Sequence, residues 1–276
     1  MHSLLFILFA CLSSTVAALE LAGEMQQGGL VIGRVGPGSV VLLDQQVIKV
    51  SEQGVFVIGF GRDAKASAEL MVENASGDKT AKTLTIAARQ YKIQHIEGIA
   101  KKIISPSEAN IKRSREEAAQ VRKARAQLLD RMDFASEFQW PLLGPITGVY
   151  GSQRVYNGVP GRPHFGVDVA APTGTPVSTP APGVVTLVHQ NMFYSGGTII
   201  IDHGYGVSST MIHLSKVMAK VGDEVVPGDI VAEVGAGGRA TGPHLDWRMN
   251  WMKQRIDPQL LVPPMPEKQS SGSERM

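Results

Sequence analysis

Short runs of β-branched and other apolar residues, each ended by glycine or a charged residue, recur from about Leu19 to Gly98. Examples are GGLVIGRV, SVVLLD, GVFVIGFG and KTLTIAA, and turn signals such as Gly36-Pro37-Gly38 separate them. Runs of this length and composition are typical of strands, and closely spaced turns are typical of antiparallel sheets. The pattern predicts a small antiparallel β-sandwich over residues 19–98, and we recognise no catalytic cluster in it.

Residues 99–136 change character and predict a helical linker. Ser105 is followed by Pro106 and, three residues on, by Glu108, which is the pattern of a capping box. The alanine and glutamate residues that follow favour a helix. Its apolar stripe is narrow, so we expect a solvated connecting helix rather than a core helix.

The N-terminus carries an apolar run, Leu4 to Leu12, that is too short to span a bilayer. Small residues ending in Ala18 follow it, which predicts a cleaved signal peptide over residues 1–18, a periplasmic location and no transmembrane segment after cleavage. Cys11 is the only cysteine, and an alternative is that it accepts a lipid. A mature chain without cysteine has no thiolate for metal binding, which leaves histidine and carboxylate.

Two short motifs supply such ligands: HFGVD holds His164 and Asp168, and GPHLDW holds His244 and Asp246. Imidazole and carboxylate are the oxygen and nitrogen ligands that zinc accepts. Residues two apart on a strand share a face about 6–7 Å apart, so His244 and Asp246 should face one pocket. His164 and Asp168 would be roughly 13 Å apart on a straight strand, so the chain must bend between them, and Gly166 allows this. The motifs predict a metal site on a β scaffold.

With the stretches VAAPTGTPVSTPAPGVVTLV, IIIDHGYGVSSTMIHLS and VGDEVVPGDIVAEVG, these motifs resemble the catalytic domain of the lysostaphin-like (LytM-type) peptidoglycan zinc metalloendopeptidases. The resemblance implies a mainly β fold, in which residues 137–262 form an antiparallel β-sheet metallopeptidase domain. This domain follows the β-sandwich and the connecting helix in the sequence. Residues 263–276 have linker composition and predict a disordered tail.

The resemblance also implies roles for individual residues. His164 and Asp168 match two zinc ligands, and His213 and His244 match two catalytic histidines that do not bind the metal. Asp246 stands where the family usually has a third ligand, a histidine, and aspartate is a competent ligand for one zinc ion per chain. Because two carboxylates cancel the charge of the dication, we expect the Lewis acidity to be weaker than usual.

The implied function is zinc-dependent hydrolysis of peptide bonds in the stem or cross-link peptides of peptidoglycan, with no nucleic acid as a partner. The alternative is a catalytically inactive LytM-type domain that binds cell wall or activates a separate amidase, because Asp246 departs from the family pattern. A third class is a lipoyl or biotinyl carrier, which the segment Val221–Val234 resembles. A carrier needs a modified lysine at a hairpin tip, and no such tip is evident.

Other residues invite functional readings that we discount. Gly235–Ala240 (GAGGRA) fits a loose dinucleotide-binding pattern, but it runs into Pro243 without a helix to receive a pyrophosphate. His203 falls in a turn, and His95 and His189 have no partner in any motif. We expect these three histidines to be structural.

Overall fold

The computed structural model describes residues 19–96 and 107–266. The predicted signal peptide, including Cys11, and the end of the predicted tail lie outside these ranges. Within them, no helix combines the length and the apolar character needed to cross a bilayer. The mainly β fold predicted from the sequence is confirmed.

The N-terminal part is built from two antiparallel sheets that share an apolar core. One sheet has the order β1-β2-β5 and the other β4-β3-β6-β7. Phe56 and Ile58 from the first sheet are fully buried with Val41 and Leu70 from the second. The strands of residues 19–96 are β1 (Glu20–Gly23), β2 (Leu30–Arg34), β3 (Val40–Leu43), β4 (Gln46–Ile48), β5 (Val55–Gly59), β6 (Ser67–Glu73), β7 (Lys79–Thr85) and β8 (Ile93–Ile96).

The predicted helix is present as α1 (Glu108–Arg125), but it begins later than the sequence pattern suggests. Its N-cap is Ser107, whose backbone is extended and whose hydroxyl accepts a hydrogen bond from the Asn110 N–H. Glu108 is the first helical residue rather than the third, so the capping-box position predicted for it is wrong; Ser105 and Pro106 lie outside the described residues.

The expectation that α1 is a solvated connector is also wrong in part. Val121 and Ala124 pack against Ile200 of the large C-terminal sheet. Glu117 is buried, and its carboxylate accepts a hydrogen bond from the Phe193 N–H at 2.9 Å. These contacts fix the helix against one face of that sheet.

The C-terminal part is dominated by an eight-stranded sheet in the order β18-β14-β15-β16-β20-β12-β9, with β21 paired to β20. A second sheet, β13-β19-β17, contributes Val177 and Ala232 to the common core. Two 3-10 helices lie at Asp133–Ala135 and Pro258–Leu260. The strands are β9 (Ile146–Gly148), β10 (Gln153–Tyr156), β11 (Val159–Pro160), β12 (Val167–Ala170), β13 (Pro176–Ser178), β14 (Gly183–Met192), β15 (Gly196–Asp202), β16 (Val207–Leu214), β17 (Lys216–Val217), β18 (Glu224–Val225), β19 (Ile230–Glu233), β20 (His244–Trp251) and β21 (Gln254–Ile256).

The two parts are joined by strand pairing as well as by side chains. β8 pairs in parallel with β10, which places the end of the N-terminal part beside the segment that leads to His164. The Arg62 Nε donates to the Gly151 carbonyl at 2.9 Å, and the Tyr91 ring lies directly against Gly151. The apolar core is continuous across the junction. The N-terminal part thus supports the C-terminal part on the side that carries His164.

Candidate metal centre

The register of β12 and β20 brings the two sequence motifs together. The strands are antiparallel, with Asp168 opposite Asp246 and Ala170 opposite His244. Along β20, Leu245 is completely buried on the core side, while His244 and Asp246 lie on the other face. One face of the sheet therefore carries candidate ligands from both motifs.

His164 joins them because the chain turns before β12. Its backbone is held by two hydrogen bonds, from its own N–H to the Ser152 carbonyl and from the Gly151 N–H to its carbonyl, both 2.8 Å. The imidazole Nε2 lies 3.2 Å from Asp168 Oδ1. The bend expected between the two residues is thus present.

Gly166 serves this bend by its small size. Its φ is not in the left-handed region, but a Cβ at this position would overlap Asp246 Oδ1 and approach the Trp247 carbonyl to 2.7 Å. Gly148 similarly leaves room for Asp168 Oδ2. Both carboxylates are packed directly against a glycine, so each can occupy its position only because the glycine has no side chain.

The three predicted ligands form a set that fits a metal ion. His164, Asp168 and Asp246 each offer a ligand atom, and these atoms lie within 4.8 Å of one another. His164 Nε2 and Asp168 Oδ1 are buried and, apart from their 3.2 Å contact with each other, have no polar partner at hydrogen-bond distance in the described ranges. Buried polar atoms are normally paired, so two unpaired atoms facing one point indicate a missing partner. One nitrogen and two carboxylates are a donor set that zinc accepts.

Protonation competes with metal binding at this set. Burial lowers the pKa of His164, but its interaction with Asp168 and the charge of Asp246 outweigh burial and raise that pKa above its usual value. A proton and a metal ion both require the same lone pair on Nε2. As the pH falls, protonation of His164 should therefore release the metal at a higher pH than it would if this histidine had its usual pKa.

His213 and His244 lie side by side next to the ligands, with ring centroids 4.9 Å apart. Their Nδ1 atoms are 2.7 Å from the Gly237 carbonyl and 2.8 Å from the Gly242 carbonyl, respectively. Because a carbonyl oxygen only accepts, each Nδ1 carries a hydrogen, and a neutral ring keeps its Nε2 lone pair for the site. The His244 Nε2 lies 3.8 Å from Asp168 Oδ1.

The glycine-rich loop Gly235–Ala240 has a role that differs from the dinucleotide pattern it resembles. It connects β19 to β20 without a helix, and its Gly237 carbonyl orients His213. His213 itself has a φ of +65°, an unusual backbone conformation for a histidine. Burial lowers its pKa and outweighs the Gly237 hydrogen bond, which raises it, so His213 is neutral at pH 7.

The remaining described histidines lie outside this group. Both nitrogens of His203 are engaged, by the Pro182 carbonyl at 2.6 Å and by Ser209 Oγ at 2.8 Å, and burial lowers its pKa to about 4. His189 accepts a hydrogen bond from the backbone N–H two residues later. His95 is exposed on β8.

Arg248 belongs to the site and was not anticipated from the sequence. Its Nε lies 2.9 Å and 3.0 Å from the two oxygens of Asp246. Asp246 is 2% exposed and the Arg248 side chain 27%. Burial raises the pKa of Asp246, but the charge of Arg248 more than compensates and holds that pKa below its usual value. The signal in the sequence is the spacing within HLDWR, where an arginine two residues after an aspartate shares its face of a strand.

Arg248 corrects the electrostatic expectation for the site. A dication with two carboxylates is neutral, whereas the guanidinium restores a formal charge of +1. This is the charge that a site with one carboxylate and two neutral histidines would have. The weaker Lewis acidity expected from the sequence therefore does not follow, because the Asp246–Arg248 pair is as neutral as the histidine it replaces.

The packing of Gly166 against Asp246 gives a direct prediction. Gly166→Ala should weaken zinc binding by at least about tenfold, because the new Cβ displaces the Asp246 carboxylate. The measurement is a zinc titration by calorimetry. Gly36→Ala is the matched control, since its Cβ would meet nothing closer than 3.8 Å. Unchanged zinc affinity in a folded Gly166→Ala variant would show that the position of Asp246 is irrelevant to the metal.

Comparison with known proteins identifies the family of the C-terminal domain. Residues 162–258 match the sequence model of Peptidase family M23. The crystal structure of a putative peptidase M23 from Pseudomonas aeruginosa superposes with a TM-score of 0.68 and 27% identity, over 86% of this chain and 95% of that one.

Two curated relatives match over shorter stretches. Peptidoglycan DD-endopeptidase ShyA of Vibrio cholerae is 41% identical over 87 residues, which are 32% of this chain and 20% of that protein. DD-carboxypeptidase/endopeptidase Mpg of Neisseria meningitidis is 39% identical over 106 residues, or 38% and 24%. The chain thus matches about a fifth to a quarter of the length of these relatives. The matched segment holds the three candidate ligands and both site histidines, and residues 162–258 of this chain therefore form a domain of the M23 peptidase family, of the LytM type that its motifs indicated.

Proposed function

We propose that this protein is a zinc-dependent endopeptidase that hydrolyses a peptide bond in the stem or cross-link peptides of peptidoglycan, in the periplasm. The observation that carries the proposal is the arrangement of His164, Asp168 and Asp246 beside two histidines whose Nε2 atoms are available. The relatives named as peptidoglycan endopeptidases support the choice of substrate.

The ligands and the histidines divide the work. His164, Asp168 and Asp246 would hold zinc, which when bound polarises the scissile carbonyl and activates a water molecule. His213 is neutral and accepts a proton at Nε2 from the attacking water. Its Nδ1–H bond to a backbone carbonyl fixes the ring, so the acquired proton points into the site. His213 then gives this proton to the leaving amine, while His244, fixed in the same way, donates from Nε2 to the developing oxyanion in its protonated, imidazolium form.

One observation favours the inactive alternative as a second candidate. Arg248 pairs with Asp246 and satisfies that carboxylate without a metal. A domain whose third ligand is already occupied by a guanidinium could bind cell-wall peptides, or activate a separate amidase, without hydrolysing them.

The test uses the chain from residue 19, purified without chelator. We expect about one zinc per chain by mass spectrometry and the release of peptide fragments with new amino termini from purified peptidoglycan. A chelator should stop the release, and added zinc should restore it. A folded protein that takes up no zinc and releases no peptide, yet sediments with peptidoglycan, would support the inactive alternative instead.

A further inference from the structure

Four arginines gather next to the metal centre on the same face of the large sheet. Within residues 19–96 and 107–266, Asp246 is the only carboxylate that forms an ion pair with any of them. The formal net charge of the whole chain is only +2, so this arginine cluster is a local excess of positive charge. Its members are Arg125, Arg162, Arg248 and Arg255.

The end of α1 supplies one side of the cluster. The Arg125 Nη2 lies 2.7 Å from Thr210 Oγ1. Thr210 on β16 stands directly opposite Arg248 on β20. Cross-strand neighbours have Cβ atoms about 4.5–5.5 Å apart, so the guanidinium of Arg125 lies close to Arg248.

The ring of Phe165 links the other side to the metal centre. The guanidinium carbons of Arg162 and Arg255 lie 5.7 Å and 5.8 Å from its centroid. Phe165 follows His164 directly in the chain. Arg255 also donates from Nη1 to Asn250 Oδ1 at 2.6 Å, and Asn250 shares a strand face with Arg248.

The positive charges of the arginine cluster are not fully compensated. Burial, followed by the charges of Arg248 and Arg162, lowers the pKa of Arg255 to about 10. The pKa of Arg125 is also lowered, first by burial and then by the other three arginines, and its buried Nε has no hydrogen-bond partner in the described ranges. Guanidinium groups keep their proton in proteins, so the four side chains repel one another and a bound anion would relieve the repulsion.

We propose that the arginine cluster binds a carboxylate group of the peptide substrate. The guanidinium fork matches a carboxylate in two parallel hydrogen bonds, and all four side chains are at least partly open to solvent. This inference rests on the proposed function in one respect, which is that the bound carboxylate belongs to the peptide that the protein cleaves.

The spacing along β20 places that carboxylate relative to the scissile bond. His244, Asp246, Arg248 and Asn250 succeed one another on one face at steps of about 6–7 Å. Measured between Cα positions, the cluster begins about 6 Å from Asp246 and extends to about 13 Å from it, while the Arg248 guanidinium itself contacts the Asp246 carboxylate. An extended peptide rises about 3.3 Å per residue, so the recognised carboxylate lies within about four residues of the bond that is cut.

The experiment uses two forms of one synthetic cross-link peptide. The acid peptide has free carboxyl groups, and in the amide peptide these groups are amidated. With the full chain from residue 19, KM should be about tenfold higher for the amide, while kcat changes little. Arg255→Gln should raise KM about tenfold for the acid peptide and leave the amide unaffected. Arg122→Gln is the control for the loss of one positive charge, because this arginine is exposed near the end of α1 and does not belong to the cluster.

Binding without turnover separates this inference from the proposed function. In a His213→Ala variant, calorimetry should show about tenfold tighter binding of the acid peptide than of the amide. Tighter binding of the acid peptide with no cleavage of either peptide by the unmodified protein would overturn the proposed function and leave the cluster's role intact. Equal KM and equal affinity for the two peptides would overturn the role of the cluster, as would a loss in Arg255→Gln that is the same for both.

Discussion

Asp246→Ala should lose zinc and destabilise the fold together. Removal of a ligand should weaken zinc binding by more than about a hundredfold, since loss of an outer-shell partner alone costs about 10–100-fold. Arg248 would keep a largely buried charge without its partner. Breaking a buried ion pair costs about 3–5 kcal/mol, and the partial exposure of Arg248 reduces this to roughly 2–4 kcal/mol. Zinc titration and urea unfolding of the metal-free protein measure the two effects.

Asp246→Asn separates the two effects. The amide oxygen still accepts a hydrogen bond from Arg248, so stability should fall less than in Asp246→Ala, while zinc is lost in both. Wild-type zinc content in Asp246→Ala would show that Asp246 is not a ligand.

The family's usual histidine should not work here on its own. Asp246→His restores an imidazole, but it leaves Arg248 facing the metal with no counter-charge. We expect weak zinc binding in Asp246→His and stronger binding in the double variant with Arg248→Gln, because the second change removes the repulsion. Equal zinc affinity in the single and double variants would show that Arg248 does not act on the metal site.

His213→Ala and His244→Ala should each lower kcat for peptide hydrolysis by about a hundredfold or more while zinc remains bound. The reason is that both rings face the site with Nε2 and neither belongs to the ligand set. Loss of a positioned proton-transfer group typically costs about 10²–10⁴-fold. The measurement is kcat on a synthetic cross-link peptide together with zinc content.

His203→Asn provides the contrast for these two variants. His203 is fully buried in the turn between β15 and β16 with both nitrogens engaged, so its replacement should reduce stability rather than catalysis. Zinc loss in His244→Ala would assign that histidine to the ligand set and overturn the division of roles proposed above.

The candidate ligands and His244 could be located from the sequence because they lie in two short motifs with interpretable spacing, whereas His213 was identified only through the family resemblance. Alternation along a strand was enough to place His244 and Asp246 on one face. Arg248 obeys the same alternation, but an arginine on a strand usually faces solvent, and nothing in the sequence tells that Asp246 would be buried beneath it. Which side chain pairs with a buried carboxylate is decided by the tertiary structure, because the burial itself arises only when the chain folds.

Other features could not be predicted because they depend on contacts between distant segments. The packing of α1 on the sheet rests on Val121 and Ala124, which are too few to mark a buried face in a sequence. The start of the helix at Glu108 could not be predicted because Ser105 and Ser107, two residues apart, are both suitable N-cap residues. Gly166 was noticed for its flexibility, whereas the structure uses its lack of a side chain.

The support of His164 by the N-terminal part has a consequence for how such a chain can change over evolution. Arg62 and Tyr91 hold Gly151, and Gly151 with Ser152 holds the backbone of His164. Residues 137–262 transferred alone into another protein by recombination would leave this ligand without its support. The two segments should therefore be inherited as one unit, and new specificities should arise by point substitution around the site rather than by exchange of the N-terminal module.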